Sequence, residues 1–459
     1  MGALARGALL AGAGAAAVGV ARWAAAQQRS RTARSLVEDA IEPKQRIVVL
    51  GAGFGGLYAA IRMADAVWDD PDVEVLLIDR HNYHLFTPML TLVAGSAVEP
   101  RSVAFPVRRL LRSHHLAFRR AEVQSIDLRQ HEVQTDTGSV HFDRLVLALG
   151  SVANYFGMKD VEEHAFTFKS IADALEIRNH IVDCFERASL TTDADERRQL
   201  LTVVIVGGGP TGVELASSLH DFIHHTLVEE YPNISFQREV RIVLLEMKGR
   251  VLPNLEDDLA RVATRTLRRK AVDLRLNTAL DHTTKGKVVT KEGEEIPTRT
   301  LVWVAGVQAN PLVSALDVPK GRAGSIVVDD CLRVSTAPGV YALGDAAFYT
   351  QPESGKPLPA DAKVAIQQAI AVADNVIREV RGKEPRPFNY RYFGDMVSLG
   401  TNAAVADVLG VKLTGYLAWL IWRTYYLGRL QGVESKSRVA TDWFLDTFLE
   451  RYTAQLELE

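Results

Sequence analysis

The chain has 459 residues, 47% of them hydrophobic, which is enough material for roughly two to four globular domains. Its 53 basic and 56 acidic residues leave a formal charge of −3, so no overall positive field exists and nucleic acid is not expected as a partner. Only Cys184 and Cys331 are cysteines, which excludes a disulfide framework and a cysteine-based metal cluster.

Residues 1–45 form an apolar segment followed by a polar linker. Residues 7–21 carry no charge, but this run is shorter than the about 20 apolar residues of a spanning helix. Arg6 followed by this run is typical of a secretory signal, whereas several arginines before the first acid, Glu38, are typical of an organelle transit peptide. A weak membrane anchor is the third interpretation, and all three stay open. Folding is expected to begin near Arg46.

The first folded segment, QRIVVLGAGFGGLYAAIRMA, carries the pattern GxGxxG between a buried strand and an amphipathic helix. Gly51 allows a tight turn, Gly53 lets a pyrophosphate approach the main chain, and Gly56 lets the helix pack closely on the strand. The next strand, VEVLLID, ends in Asp79, an acid placed to accept hydrogen bonds from a ribose hydroxyl. Together these features predict a dinucleotide site, which we assign to FAD.

The same pattern recurs in LLTVVIVGGGPTGVELASSL, where the glycines are Gly207, Gly209 and Gly212. The following strand, VRIVLLE, ends in Glu246, and this acid favours NADH because it would repel the 2′-phosphate of NADPH. The longer gap before this strand is explained by a helix extension and loop over residues 224–239. Hydride transfer from a nicotinamide to a second bound cofactor needs two nucleotide sites that face one another. The two loops therefore predict one site for FAD and one for NADH.

Near the C-terminus, the stretch LTGYLAWLIWRTYYLGRL (413–430) predicts an aromatic, apolar helix. Its apolar run between Lys412 and Arg423 is too short to span a bilayer, and flanking basic residues suit a helix that lies in a membrane interface. A dimer-interface or core helix is equally compatible with this composition. A second apolar stretch, residues 441–452, is expected to pair with it.

Further motifs extend the pattern beyond the two glycine loops. The strand FDRLVLALGS leads to Gly150, GVYALGDAA places Asp345 beside Gly344, and LVWVAGVQANP contains Gly306. The first two resemble the additional flavin motifs of the two-dinucleotide-binding-domain flavoproteins, in which the Asp contacts the ribityl or pyrophosphate region. The third resembles the strand that ends their NADH domain. The resemblance implies an α/β fold with two Rossmann-like domains, the NADH domain being inserted in the FAD domain.

Four longer stretches are more specific, and they resemble type II NADH dehydrogenase, the single-subunit, non-pumping NADH:quinone oxidoreductase. They are residues 79–100, 166–181, 249–253 and 400–427. The resemblance implies hydride transfer from NADH to FAD and two-electron transfer onward to a membrane quinone. It also favours the membrane for the amphipathic C-terminal helices. The expected segments are a targeting or anchor segment with linker (1–45), the FAD domain in two parts (46–160 and 320–395), the NADH domain (161–319) and a membrane-association region (396–459).

The resemblance also implies catalytic residues. The family's quinone motif AQxAxQ corresponds here to AKVAIQ (362–367), so Gln367 matches the second glutamine and Lys363 replaces the first. We expect Gln367 to position the quinone and contact the flavin edge, and Lys363 to stabilise the reduced flavin through its charge. Glu214 resembles the family's acid near the nicotinamide.

Two other functions stay open: a soluble NADH-dependent reductase of a ferredoxin- or rubredoxin-like carrier, and a flavin-bearing redox sensor or interaction protein. Thiol chemistry is not expected, because Cys184 is predicted in a helix and Cys331 in a strand, where free cysteines act as small buried hydrophobes. His220 and His224 lack a third ligand, so no metal site is predicted. Since NADH and FAD are available inside cells, the catalytic face of a membrane-associated protein should face cytoplasm or organelle matrix. A homodimer stays open.

Overall fold

The computed structural model describes residues 44–111, 114–446, 449 and 451–455. The predicted targeting or anchor segment lies outside these residues, apart from Lys44 and Gln45 at its end. Strands and helices alternate along most of the described chain, which is the pattern of an α/β fold.

The strands of the described residues, in chain order, are β1 (Gln45–Leu50), β2 (Val73–Asp79), β3 (Tyr83–Leu85), β4 (Ala104–Pro106), β5 (Ala117–Arg120), β6 (Val123–Asp127), β7 (Glu132–Thr135), β8 (Gly138–His141), β9 (Arg144–Leu147), β10 (Ser151–Ala153), β11 (Thr202–Val206), β12 (Arg241–Glu246), β13 (Asp273–Leu276), β14 (Leu280–Thr284), β15 (Lys287–Thr290), β16 (Glu295–Pro297), β17 (Thr300–Trp303), β18 (Val307–Ala309), β19 (Ile326–Val327), β20 (Val340–Ala342), β21 (Ala347–Phe348), β22 (Gly394–Ser398), β23 (Ala404–Val408) and β24 (Val411–Thr414).

The helices of the same residues are α1 (Phe54–Ala66), α2 (Leu90–Ala94), α3 (Pro100–Val103), α4 (Val107–Leu110), α5 (Lys159–His164), α6 (Ile171–Leu190), α7 (Ala194–Leu200), α8 (Pro210–Phe222), α9 (Val228–Glu230), α10 (Phe236–Glu239), α11 (Asp257–Arg269), α12 (Pro311–Ser314), α13 (Ala362–Val380), α14 (Gly415–Arg429) and α15 (Val433–Leu445). A π-helical turn, Ile223–Leu227, continues α8.

The first nucleotide unit is built on a parallel sheet with the strand order β20-β9-β1-β2-β5. Its central strand β1 is buried on both faces, since Ile47 to Leu50 are all fully buried, as expected for a parallel sheet covered by helices. Strand β20 pairs with β9, Tyr341 opposite Val146, although almost 200 residues separate them. The sheet is therefore completed by a distant part of the chain, which confirms the predicted nested architecture.

The second nucleotide unit lies between these two parts in sequence. Its parallel sheet has the order β13-β12-β11-β17, and β11 is again a fully buried central strand. An antiparallel ladder of β10 with β18 joins the two units, pairing Ser151 with Ala309 and Ala153 with Val307. The chain thus leaves the first unit and returns to it at the same place.

The C-terminal unit begins with an antiparallel sheet, β22-β23-β24, and continues into α14 and α15. Helices are predicted at 413–430 and 441–452, whereas no element is predicted for residues 396–412, which form most of this sheet. The turn around Gly410 (φ +84°) between two valine-containing strands is the hairpin signal that was overlooked. Helix α14 packs on this sheet and buries Ala418 and Trp422. Within the described chain, no helix combines the length and apolar character needed to cross a bilayer.

Candidate nucleotide and quinone site

The first glycine loop lies at the carboxyl end of β1 and leads into α1. Gly51 has φ +101°, and a Cβ there would lie 2.4 Å from the Ala148 carbonyl oxygen. A Cβ at Gly56 would lie 1.8 Å from the Gly51 oxygen, so strand and helix touch through this glycine. A Cβ at Gly53 would meet nothing within 4 Å. The loop is therefore an open cradle at a helix N-terminus, which suits a pyrophosphate.

Asp79 lies at the end of β2, beside the first cradle. Its Oδ2 accepts a hydrogen bond from the Ala52 main-chain nitrogen at 2.6 Å, and its Oδ1 accepts one from that of His81 at 2.7 Å. These bonds fix the carboxylate against the glycine loop, where it remains partly exposed. A carboxylate in this position is the acceptor that a dinucleotide ribose requires.

The second glycine loop repeats this geometry at the end of β11. Gly207 has φ +117°, and a Cβ there would lie 2.8 Å from Ala305 Cα. A Cβ at Gly212 would lie 1.9 Å from the Gly207 oxygen, while Gly209 faces open space. Glu246, at the end of β12, accepts hydrogen bonds from the main-chain nitrogens of Gly208 and Lys248, both at 2.7 Å. Both predicted fingerprints thus form cradles with an adjacent acid.

The other predicted flavin motifs meet beside the first cradle. Gly150 (φ +68°) precedes Ser151, whose hydroxyl donates to Asp345 Oδ2, and Gly344 has φ +62°. The Lys169 ammonium, on the segment before α6, donates to the Ser151 hydroxyl at 2.9 Å. Burial lowers the pKa of Lys169, and the Asp345 carboxylate opposes this effect. The open cradle, the strand-end acid and this hydroxyl, carboxylate and ammonium cluster fit the pyrophosphate, ribose and ribityl groups of FAD.

Gln368 and Lys169 are residues near this cluster to which the sequence analysis gave no role. Gln368 is almost fully buried in α13, and its Oε1 accepts a hydrogen bond from the Gly344 nitrogen at 2.7 Å. The helical spacing of Gln368 with the buried residues Val364 and Val372 is the signal that would have placed it on the inner face.

Gln367 and Lys363 both contact the segment that leads into the C-terminal unit. The Gln367 amide donates to the Arg391 carbonyl at 2.9 Å and accepts from the Arg391 nitrogen at 3.0 Å. The Lys363 ammonium donates to the Gly394 carbonyl at 2.9 Å and forms an ion pair with Asp395. Burial lowers the pKa of Lys363, but the carboxylates of Asp361 and Asp395 outweigh it, so the pKa lies above its usual value.

Glu214 lies in the first turns of α8, where the second nucleotide unit meets the C-terminal unit. Its Oε1 accepts a hydrogen bond from the Ser398 nitrogen at 2.9 Å. Burial raises the pKa of Glu214 to about 8, although the Ser398 N–H and the Trp422 side chain favour the charged form. A cavity of about 20 Å³, bordered by Glu214, Trp422 and Arg423, lies beside it and has room for about one water molecule.

Gly306 follows β17 and lies against the loop that connects β10 to α5. Its carbonyl accepts a hydrogen bond from the Asn154 nitrogen at 3.1 Å. A Cβ at this position would lie 2.6 Å from the phenyl ring of Phe156, so a larger residue would require that ring to move.

The two cysteines lie apart from these groups. Cys184 is buried in α6, and burial raises the pKa of its thiol to about 11. Cys331 lies in a turn between β19 and β20, so the prediction of a strand at this position was wrong. The sequence DDCLR forms this turn because Asp329 Oδ1 accepts from the main-chain nitrogens of Cys331 and Arg333.

Comparison with known proteins gives a consistent result. The sequence model of the pyridine nucleotide-disulphide oxidoreductase family matches residues 45–369, and that of the NDH2 C-terminal domain matches residues 392–452. The chain is 33% identical over 409 residues to a probable NADH dehydrogenase of Dictyostelium discoideum, covering 87% of this chain and 88% of that protein. It is also 33% identical over 431 residues to the type II NADH:quinone oxidoreductase Ndh of Mycobacterium tuberculosis, covering 90% of each.

Solved structures agree on the fold. The structure of NDH2 from Plasmodium falciparum in complex with NADH superimposes with a TM-score of 0.82 at 19% identity, covering 90% of this chain and all of that one. The family match over most of the chain and the identity with curated enzymes together decide the family. The chain belongs to the pyridine nucleotide-disulphide oxidoreductase family and, within it, to the type II NADH:quinone oxidoreductases.

Proposed function

We propose that this NADH:quinone oxidoreductase works at a membrane surface, where its C-terminal unit brings a lipid-borne quinone to the flavin site. The observation that supports the redox part of this proposal most directly is the pair of open glycine cradles, each with its own strand-end acid, on two sheets joined by the β10–β18 ladder. FAD held at the first cradle would supply the two-electron chemistry that links oxidation of NADH to reduction of the quinone, which takes up two protons as it becomes a quinol.

The residues of the first cradle hold FAD in this proposal. The N-terminus of α1 faces the pyrophosphate through Gly53, and Asp79 accepts from the ribose. Asp345, oriented by Ser151, would contact the ribityl or pyrophosphate region, where its carboxylate can accept from a ribityl hydroxyl. The second cradle holds NADH in the same way, with Gly209 at the pyrophosphate and Glu246 at the adenosine ribose.

Gln367, Lys363 and Glu214 are proposed to serve the quinone and nicotinamide sides of the flavin. Because the amide of Gln367 is bound at both ends to Arg391, its contribution is to position the 391–395 segment beside the quinone. Lys363 holds the same segment at Gly394 and Asp395. Glu214, with its pKa near 8, is the group that exchanges a proton close to physiological pH.

The membrane surface is proposed to be the apolar face of α14 and α15. The side chains of this face are exposed although they are large and apolar: Tyr416, Leu417, Leu420, Phe444 and Leu445. On α14, Tyr416, Leu417 and Leu420 lie within about one helical turn of one another, and exposed apolar residues grouped in this way mark an interaction site. The predicted basic flanks suit anionic headgroups, and the catalytic face would then look onto cytoplasm or organelle matrix, where NADH is present. A second copy of the chain is the alternative occupant of this face.

Anaerobic stopped-flow spectroscopy of the FAD-loaded protein tests the function. NADH is expected to bleach the flavin absorbance, and subsequent mixing with a short-chain menaquinone or ubiquinone analogue is expected to restore it rapidly. Reduction by NADH without reoxidation by either quinone would contradict the proposal and favour a protein acceptor or a sensor. Dithionite-reduced protein mixed with the same quinones serves as the control for the second step.

A further inference from the structure

The loop between β10 and α5 holds an exposed aromatic side chain in a strained conformation. Phe156 is 64% exposed, and its φ is +52°, a left-handed conformation that bulky residues rarely adopt. Both features cost free energy, the first by exposing apolar surface and the second by backbone strain. Strain of this kind persists only where surrounding contacts enforce it, and it concentrates at ligand sites.

Three contacts enforce the conformation of Phe156. The Asn154 side chain accepts a hydrogen bond from the Phe156 nitrogen at 2.8 Å, which forms a tight turn. The indole N–H of the buried Trp303 donates to the Asn154 carbonyl at 2.9 Å. The Asn154 nitrogen donates to the Gly306 carbonyl at 3.1 Å. The loop is thus hydrogen-bonded to Trp303, the last residue of β17, and to Gly306, three residues further along the chain.

The phenyl ring itself lies against this segment. It lies edge-on to the Trp303 indole, with 6.2 Å between ring centroids and a 65° angle between planes. It also covers Gly306, where a Cβ would collide with the ring. Gly306 adjoins Ala305, which in turn lies against the pyrophosphate turn at Gly207. Phe156 is therefore next to the second nucleotide cradle.

The strand order indicates which half of the coenzyme meets this ring. Glu246, the acid for the adenosine ribose, ends β12 on one side of β11, whereas Gly306 follows β17 on the other side. A dinucleotide whose pyrophosphate lies over the β11 turn places its two halves on opposite sides of that strand. The adenosine half takes the β12 side, so the nicotinamide half takes the β17 side, which is also the side of the β10–β18 ladder and the first unit.

We propose that Phe156 is a further NADH-binding residue that contacts the nicotinamide riboside half and holds it toward the flavin site. This inference rests on the proposed function, since it assigns the second cradle to NADH. A planar apolar ring is the side chain suited to a planar nicotinamide, and Gly306 supplies the space that the ring needs.

The test uses Phe156→Gly in the full-length FAD-loaded protein. Glycine adopts the left-handed conformation freely, so this variant removes the ring while the turn is retained. Phe156→Leu keeps apolar bulk without the aromatic face, and Leu190→Ala, at another exposed apolar side chain, is the control. Each is assayed anaerobically by stopped-flow for flavin reduction by NADH and for reoxidation of dithionite-reduced protein by a quinone analogue.

We expect Phe156→Gly to raise the half-saturating NADH concentration for flavin reduction roughly three- to tenfold. Phe156→Leu should show a smaller increase, and reoxidation by quinone should not change. The inhibition constant of AMP, which occupies only the adenosine side, should stay at the wild-type value. An unchanged NADH dependence, or an equal loss of AMP binding, would overturn the inference. Absence of flavin reduction by NADH in the wild type would instead contradict the proposed function.

Discussion

The side-chain amide of Gln367 binds the main chain of Arg391 at both of its polar atoms, at 2.9 and 3.0 Å. This paired contact ties α13, which carries the buried Gln368 beside Gly344, to the segment that begins the C-terminal unit. A residue expected to touch the quinone is thus bound to the protein's own backbone. Its effect on the quinone is therefore expected to pass through the position of that segment.

Replacing Gln367 with alanine should weaken the quinone step and spare the NADH step. Two hydrogen bonds worth about 1 kcal/mol each are lost, about 2 kcal/mol together, so the KM for a quinone analogue should rise by up to roughly 30-fold. Flavin reduction by NADH, followed by stopped-flow, should match the wild type. Gln130→Ala, at an exposed position of the first unit, is the control. An equal loss in both steps would show that Gln367 acts on the flavin itself.

Lys363 and Asp395 form an ion pair, and we expect a measurable coupling free energy between them in the stability of the folded protein. Both side chains are about 70% shielded from solvent, so a double-mutant cycle with Lys363→Gln and Asp395→Asn should give a coupling of about 1 kcal/mol. Thermal unfolding of the four proteins measures it.

The flavin midpoint potential tests a second consequence at Lys363. Two carboxylates already balance its ammonium charge, so Lys363→Gln is expected to leave the potential of the bound flavin unchanged. A marked fall in that potential, measured by dye-coupled reduction, would show instead that the ammonium stabilises the reduced flavin directly.

Glu214 should make the free energy of unfolding decrease as the pH rises. Burial raises its pKa from the usual 4.5 to about 8, so between these pH values the native state binds a proton that the unfolded state has lost. This contribution to stability is complete below about pH 4.5 and is lost as the pH rises through 8, a change of a few kcal/mol. Glu214→Gln should abolish it, so the melting temperature of this variant should fall less between pH 6 and pH 9. Glu353→Gln, at an exposed position, should follow the wild type.

Coenzyme choice should depend on Glu246. Its carboxylate is only 8% exposed and is held beside the second cradle by two main-chain N–H groups, where a 2′-phosphate would meet a like charge. Arg250 offers no compensation, because it is paired with Asp257 and with the carbonyls of Pro253 and Leu255. We expect the wild type to have a higher kcat/KM with NADH than with NADPH. Glu246→Gln should lower the ratio of the NADH value to the NADPH value roughly tenfold. A ratio unchanged by the substitution would contradict this role.

Charges introduced on the apolar face of α14 should release the protein from lipid. Leu417→Glu combined with Leu420→Glu is expected to reduce cosedimentation with anionic phosphatidylglycerol vesicles, since the helix would have to bury two charges at the interface. Turnover with a water-soluble quinone analogue should persist. Leu190→Glu, at an exposed position of α6, is the control. A shift from dimer to monomer in light scattering, with vesicle binding retained, would assign the face to a second copy.

The nucleotide sites could be predicted because their chemistry depends on local backbone geometry. Gly51 and Gly207 need positive φ, and Gly56 and Gly212 need contact between helix and strand, so each requirement leaves a glycine at a fixed spacing. The domain boundaries at residues 160 and 319 remain predictions. The β10–β18 ladder, which joins the units near these points, is a contact between distant segments that no local pattern records.

The partners of Gln367 and Lys363 could not be predicted for the same physical reason. Arg391 and Asp395 lie 24 and 32 residues further along the chain, and the contacts arise from how the C-terminal unit packs on α13. Phe156 was likewise missed, because its conformation depends on the Asn154 turn, which is held by a hydrogen bond from Trp303, almost 150 residues away. The parts of the site that local sequence patterns do not predict therefore depend on side-chain contacts between units.

The β10–β18 ladder has a consequence for how this protein tolerates changes of length. The ladder hydrogen-bonds the two ends of the second nucleotide unit side by side, so the distance between these ends is fixed. For the first unit, the whole insertion is a loop whose ends always lie the same distance apart. Residues added to or removed from the interior of the insertion do not alter the distance that the host sheet must bridge between β9 and β20. The second nucleotide unit can therefore change in length while the sheet of the first unit keeps its register.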